Sequence, residues 1–306
     1  MSIGDAANRR KQSVTLLPTV IEIVAPVFLL AGIGVAWVRL GFPYEVEFVT
    51  RLAMTLAVPA LIFTALMQTD LDPRAVATVA AATFAAYAAV IATMAALCAA
   101  LRLDRRTYLA PMIFGNTGNL GIPLAGYAFG AVGLQLGVVT FAVSAILVFT
   151  VGLWLVAGAG NPRALAREPM VPATLLGALF LWQGWETPTA ITNALTLVGQ
   201  MAIPLMLITL GVAVARLRPS GLARVLALSV AKVLICAALA WAVARLFGLG
   251  REATGVLVLQ LATPVAVTSY LLAQKYGADA EAAAGLVVVS TALSVAAIPL
   301  LLVFLL

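Results

Sequence analysis

Histidine is absent from this chain of 306 residues, which removes zinc hydrolysis, a Ser-His-Asp triad and histidine proton relays from consideration. Cysteine is nearly absent. Cys98 and Cys236 each lie inside an apolar block and read as small packing residues, with neither the number nor the spacing of a disulfide framework or a metal site. Charge is scarce as well: 10% of residues are charged and 63% hydrophobic, with a mean hydropathy of +1.11, against roughly 25% charged and about half apolar in a soluble domain. No water-soluble core of this size hides so much apolar surface. Convincing pairs of catalytic groups are also missing, so the chain does not read as an enzyme, and no cofactor is expected.

What is present is apolar sequence in blocks of about 20 residues, each long enough to span roughly 30 Å of hydrocarbon as a helix. The blocks fall near 18–38, 45–67, 75–100, 107–129, 132–157, 169–185, 189–214, 220–247, 252–274 and 281–305. An all-α integral membrane protein with ten transmembrane helices is therefore expected. The basic N-terminus followed by an apolar run resembles a signal peptide. Its apolar part is too long, contains Glu22 and lacks an A-x-A exit, so it reads better as the first span after a tail at 1–17.

The gap GAGNPRALAREP divides the blocks into two halves, a first five-helix repeat at 18–157 and a second at 169–306, joined by a connecting loop at 158–168. An odd number of crossings per half makes any repeat an inverted one. The halves echo each other: LAVPALIFTAL around Pro59 matches MAIPLMLITL around Pro204, and GNTGNLGIPLAGYAFG around Pro123 matches LQLATPVAVTSYLLAQKYG around Pro264, at similar separations of 145 and 141 residues.

The net charge of +6 sits mostly in short gaps between blocks, as an orientation signal does, rather than in a nucleic-acid-binding patch. The gaps after odd-numbered blocks carry Arg39, Arg102, Arg105, Arg106, Arg163, Arg167, Arg216, Arg218, Arg224 and Lys275. The other side carries Arg9, Arg10, Lys11, Arg74, Arg245 and Arg251. The count favours the first side as cytoplasmic and both termini as outward, although the basic N-terminal tail argues the other way.

The fourth block is the most informative. Gly115, Asn116, Thr117, Gly118, Asn119, Gly121 and Pro123 fall where mid-membrane is expected, and this composition favours a break over a continuous helix. Freed backbone groups are costly in hydrocarbon and are tolerated where protein, water or a ligand satisfies them. The ninth block repeats the pattern more weakly with Gln260, Thr263, Pro264, Thr268 and Ser269. Half-helix ends brought together at two such breaks favour an anion, with Asn116, Thr117, Asn119, Gln260, Thr263 and Thr268 as candidate binding groups. Gly115, Gly118, Gly121, Pro123 and Pro264 then act as structural crossover residues. Lys232 is the deepest cation, and either counterbalances an anion or snorkels to an interface. Arg51 is expected near an interface or paired with Glu47. No pair of submerged carboxylates makes an ion-coupled pump persuasive.

The segments GNTGNLGIPL and ATPVAVTSYLLAQKYG resemble the auxin efflux carrier family, including bacterial members that carry malonate or other organic anions. The resemblance covers essentially the whole chain. It implies two inverted five-helix repeats with helices 4 and 9 broken and crossed, as in bile-acid symporters and sodium/proton antiporters. It also implies a scaffold domain of helices 1, 2, 6 and 7 and a transport domain of helices 3–5 and 8–10. The family's crossover asparagine maps onto Asn116 and its crossover prolines onto Pro123 and Pro264. The long central hydrophilic loop of plant members is missing here, as is a match to the paired acidic residues of the antiporters.

The expected function is a secondary transporter that moves a small organic anion, such as a mono- or dicarboxylate, by alternating access, with uncoupled export physically allowed. Alternatives are a sodium- or proton-coupled organic-anion symporter and a transporter-like membrane solute receptor. The expected setting is a bacterial inner membrane, with the lipid bilayer as partner, a homodimer as a further candidate, and no nucleic acid.

Overall fold

A computed structural model describes residues 3–69, 71–157, 169–216 and 222–306, and the regular secondary structure of this part of the chain is helical, with one isolated backbone bridge. The helices are α1 (Ile3–Arg39), α2 (Val46–Met67), α3 (Pro73–Ala100), α4 (Arg105–Ile113), α5 (Thr117–Val156), α6 (Met170–Gln183), α7 (Thr189–Arg216), α8 (Leu222–Leu246), α9 (Arg251–Leu261), α10 (Val267–Tyr276) and α11 (Ala280–Leu305). The sequence marks their ends. Asp72, Asp104 and Asp279 cap α3, α4 and α11 by accepting hydrogen bonds from first-turn amides, and left-handed Gly184 and Gly277 terminate α6 and α10.

The expectation of ten spans is overturned. Among the described residues, six helical runs are long and apolar enough to cross a membrane: α2, α3, α5, α7, α8 and α11. Two further apolar segments, Ala25–Arg39 and Met170–Gln183, are shorter. The fourth and ninth blocks break up instead of spanning. The 9 residues of α4, 11 of α9 and 10 of α10 reach only about 14–17 Å each at 1.5 Å per residue, half of the hydrocarbon thickness. With ten crossings goes the five-plus-five inverted repeat, which depends on that count. The connecting loop at 158–168 lies outside the described residues, and the expected tail begins helically at Ile3 as part of α1.

The 40-residue run of α5 is a hairpin. Gly130, at φ 65° and ψ −151°, reverses the chain, so that Thr117 meets Ser144, Gly118 meets Phe141 and Gly126 meets Leu134 across the two arms. Gly133 sits so close to the carbonyl of Ala125 that a Cβ there would collide with backbone. Two sets of helices pack most densely within themselves. In one, α1 runs along the second half of α7, and α2 packs on α6 and on the first half of α7. In the other, α8 packs on α3, α9 and α11, and the α5 hairpin packs on α3 and α9. Glycines bring the first set together: Gly34 lies against the Ile208 carbonyl and Gly211 against that of Ala31.

Candidate substrate cavity

Both interrupted blocks open into extended backbone, at Phe114–Asn116 and at Pro264–Ala266, and the two stretches pair with each other. Gly115 and Val265 form an antiparallel bridge, with the amide of Asn116 donating to the Pro264 carbonyl at 2.7 Å and that of Ala266 to the Phe114 carbonyl at 3.4 Å. The groups a helix would have satisfied therefore satisfy one another, which lets irregular backbone sit in a buried place. Gly115 is required here, because a Cβ would strike the side chain and carbonyl of Thr263.

Beside this crossing lies a cavity of about 330 Å³. Asn116, Thr117, Asn119 and Thr268 line it, together with Gly115 and Gly118, so six of the residues singled out from sequence face one space. The others form the layer behind it. Gln260 is fully buried and donates from Nε2 to the Gly137 carbonyl at 3.0 Å, with Gly121 against its other side. Thr263 turns its hydroxyl back onto the Gln260 carbonyl at 2.6 Å. Pro123 opens the regular helix after a π turn and Pro264 supplies the carbonyl that Asn116 binds. Lys232 is not in the lining: it is fully buried, and its Nζ donates to the Thr263 carbonyl at 2.8 Å. It therefore satisfies the acceptor end of α9, where the helix dipole is negative. Its place is the layer behind the lining.

Three π-helical turns interrupt the α-helices, Ala53–Ala57, Thr117–Gly121 and Val148–Gly152, and all three contribute to the cavity wall through Ala53, Met54, Thr117, Gly118, Asn119 and Val148. A π turn widens a helix locally and is common at functional sites. Behind Thr117 a hydroxyl chain runs from Tyr87 through Ser144, at 2.9 and 3.2 Å. The side-chain amide Nδ2 of Asn116, a residue 5% exposed, has no hydrogen-bond partner among the described residues. The wall is otherwise mostly apolar, with Met54, Phe141, Met170, Met206 and Leu210 among its residues.

The electrostatics are one-sided. Among the described residues the lining holds one charged side chain, Arg216, and no carboxylate. Arg216 donates to the backbone carbonyl of Tyr44 at 2.9 Å, while the Tyr44 hydroxyl bonds Thr209 at 2.8 Å, so the short connection between α1 and α2 is fastened to α7 at the cavity. In sequence Arg216 is one more basic residue after an apolar block. Nothing local distinguishes it from an orientation charge, and only the position of α7 brings it here. Elsewhere, Arg51 pairs with Glu47 at 2.7 Å on an exposed surface, and Cys98 and Cys236 are free and buried.

A bundle of membrane-crossing helices that pairs two backbone breaks beside a cavity fits a multi-pass solute transporter. The chain belongs to the membrane transport protein family, whose profile matches residues 19–166 and 160–302. This is the family of the auxin efflux carriers, whose members are transporters and not enzymes. Over 296 residues it is 28% identical to an uncharacterized transporter of Methanothermobacter thermautotrophicus, a match covering 91% of this chain and 96% of that protein.

Proposed function

We propose that the transported solute is a small organic anion whose carboxylate sits at the paired breaks, and that it crosses by alternating access. What supports this reading is Asn116, which lines a cavity whose charged lining residue is positive and whose buried side-chain amide has no partner among the described residues. The first arm of α5 and α10 both begin at this cavity, and the first amides of a helix have no acceptors within it. An anion answers all three features, and the apolar wall accommodates its carbon body. The two densely packed helix sets supply the moving parts: α1, α2, α6 and α7 as a frame, and α3–α5 with α8–α11 as the unit that carries the site. With the cytoplasm negative, outward movement of one negative charge is favoured by about 2.3 kcal/mol per 100 mV, so export needs no coupled ion.

Purified protein in liposomes, offered labelled mono- and dicarboxylates while pH, sodium and voltage are varied separately, tests the reading. Asn116→Asp replaces the free donor with a second negative charge and is expected to weaken anion binding by about tenfold or more. Asn116→Ala is expected to weaken it less. Anion affinity unchanged in Asn116→Asp would remove the carboxylate from this place, binding without flux would make the protein a receptor, and uptake that requires a sodium or proton gradient would make it a symporter.

A further inference from the structure

A second recess, of about 320 Å³, lies between α8, α11 and the start of α9, lined by Trp241, Arg245, Leu249, Arg251, Thr254, Phe304 and Leu305. It holds two arginines and no carboxylate, and neither guanidinium has an ion pair or hydrogen bond among the described residues; Glu252, next in the chain, is exposed and outside the lining. Trp241 and Arg245 are one turn apart on α8, beside its buried stripe of Cys236, Ala240 and Ala244, so they look outward from the bundle. Trp241 is 45% exposed and Phe304 71%. Arginines at a helix end, with a tryptophan and a phenylalanine immediately below, belong at a bilayer interface, and a basic recess between membrane helices suits a lipid headgroup. As an orientation signal the two arginines have no need to share a recess.

We propose that this recess binds an anionic phospholipid, with its phosphodiester held by Arg245 and Arg251 and the upper part of an acyl chain along Trp241 and Phe304. The absence of a lining carboxylate disfavours a zwitterionic headgroup, whose ammonium finds no partner there. Arg251 opens α9, and the far end of α9 carries Gln260 and the turn into Thr263. A bound lipid therefore grips one end of the helix whose other end forms the crossing.

The test uses the full chain with Trp241 as its one remaining tryptophan, the other four replaced by Phe. It is placed in phosphatidylcholine vesicles containing brominated phosphatidylglycerol or, at the same mole fraction, brominated phosphatidylcholine. Bromine quenches indole fluorescence at contact, so quenching reports which lipid occupies the recess. Phosphatidylglycerol is expected to be preferred by about fivefold for each arginine, and the preference is expected to vanish in Arg245→Gln/Arg251→Gln. Both arginines are exposed, and circular dichroism of the variant checks that the bundle is intact. Equal quenching by the two lipids in the unsubstituted protein, or a preference that survives the double substitution, overturns the proposal. Equal quenching by the two lipids together with saturable binding of inorganic phosphate that the double substitution abolishes overturns it in favour of a free-anion site. None of these readouts involves solute transport, so the lipid site and the anion pathway fail or stand separately.

Discussion

At the scale of single residues, the crossing depends on two side chains that do not touch the cavity and one that has no side chain at all. Gly115→Ala drives a methyl group against Thr263, whose hydroxyl can turn away but whose carbonyl, 3.0 Å from the added carbon, is held by Lys232 immediately before the paired backbone. A cost of about 1–3 kcal/mol is expected, read as a lower melting temperature in detergent. Adding Thr263→Ala should recover only part of it, because the carbonyl contact remains. Full recovery would mean that the backbone pairing is not what excludes a side chain. Lys232→Met removes the donor to the Thr263 carbonyl and leaves a buried acceptor unsatisfied, at about 1–3 kcal/mol. Because Lys232 lies behind the lining, the folded variant should bind the transported anion with unchanged affinity. A tenfold loss of affinity at preserved melting temperature would put Lys232 in direct contact with the anion.

Among the elements, the half-length helices are the ones whose ends are most elaborately secured. Asp104 caps α4, accepting from the amides of Arg106 and Thr107 and from the Thr107 hydroxyl, and the same hydroxyl oxygen accepts from the amide of Asp279 at the start of α11. Arg106 meanwhile donates to the carbonyls of Val156, at the end of α5, and Tyr276, at the end of α10. Four helix ends meet in this knot. The Thr107 hydroxyl, with the two amides, holds the Asp104 carboxyl below the usual aspartate range. Its stabilisation is therefore complete above the ordinary aspartate value of about 3.9 and drains away as pH falls through the lowered folded-state value. Asp104→Asn should melt below the unsubstituted protein at pH 7, and the difference should shrink on acidification. A constant difference from pH 7 to pH 3 would mean that the charge of the cap contributes nothing. Sequence made these elements partly legible. Glycine, asparagine and proline in GNTGNLGIP announce a break because each disfavours a helix in its own way. The π turns carry no comparable local mark: AMTLA and VFTVG look like any apolar helix, since one extra residue per turn is imposed by packing around the cavity.

For the whole molecule, hydropathy revealed the solvent and misjudged the count, because an apolar block does not tell one span from two half-length helices such as α9 and α10. What no local pattern contains is how the helices sort into two densely packed sets. If those sets move against each other during transport, the bonds between them must break in each cycle, whereas bonds within a set need not. Thr69, just after α2, and Gln135, in the second arm of α5, are hydrogen-bonded at 2.8 Å and belong to different sets. In a background with Cys98 and Cys236 replaced by Ala, Thr69→Cys/Gln135→Cys should transport while reduced, stop when an oxidant joins the two, and resume on reduction. Gly34 and Ile208 face each other within the frame, where a Cβ on Gly34 already meets backbone, so that pair leaves no room for cysteine. Gly126 and Leu134, on the two arms of the α5 hairpin and so within one set, give the control: a Cβ on Gly126 lies 3.5 Å from that of Leu134, inside disulfide reach, and Gly126→Cys/Leu134→Cys should keep its rate when cross-linked. Oxidised Thr69→Cys/Gln135→Cys that still carries solute at the reduced rate would show that the two sets stay together through the cycle, and the passage would then have to open within one of them.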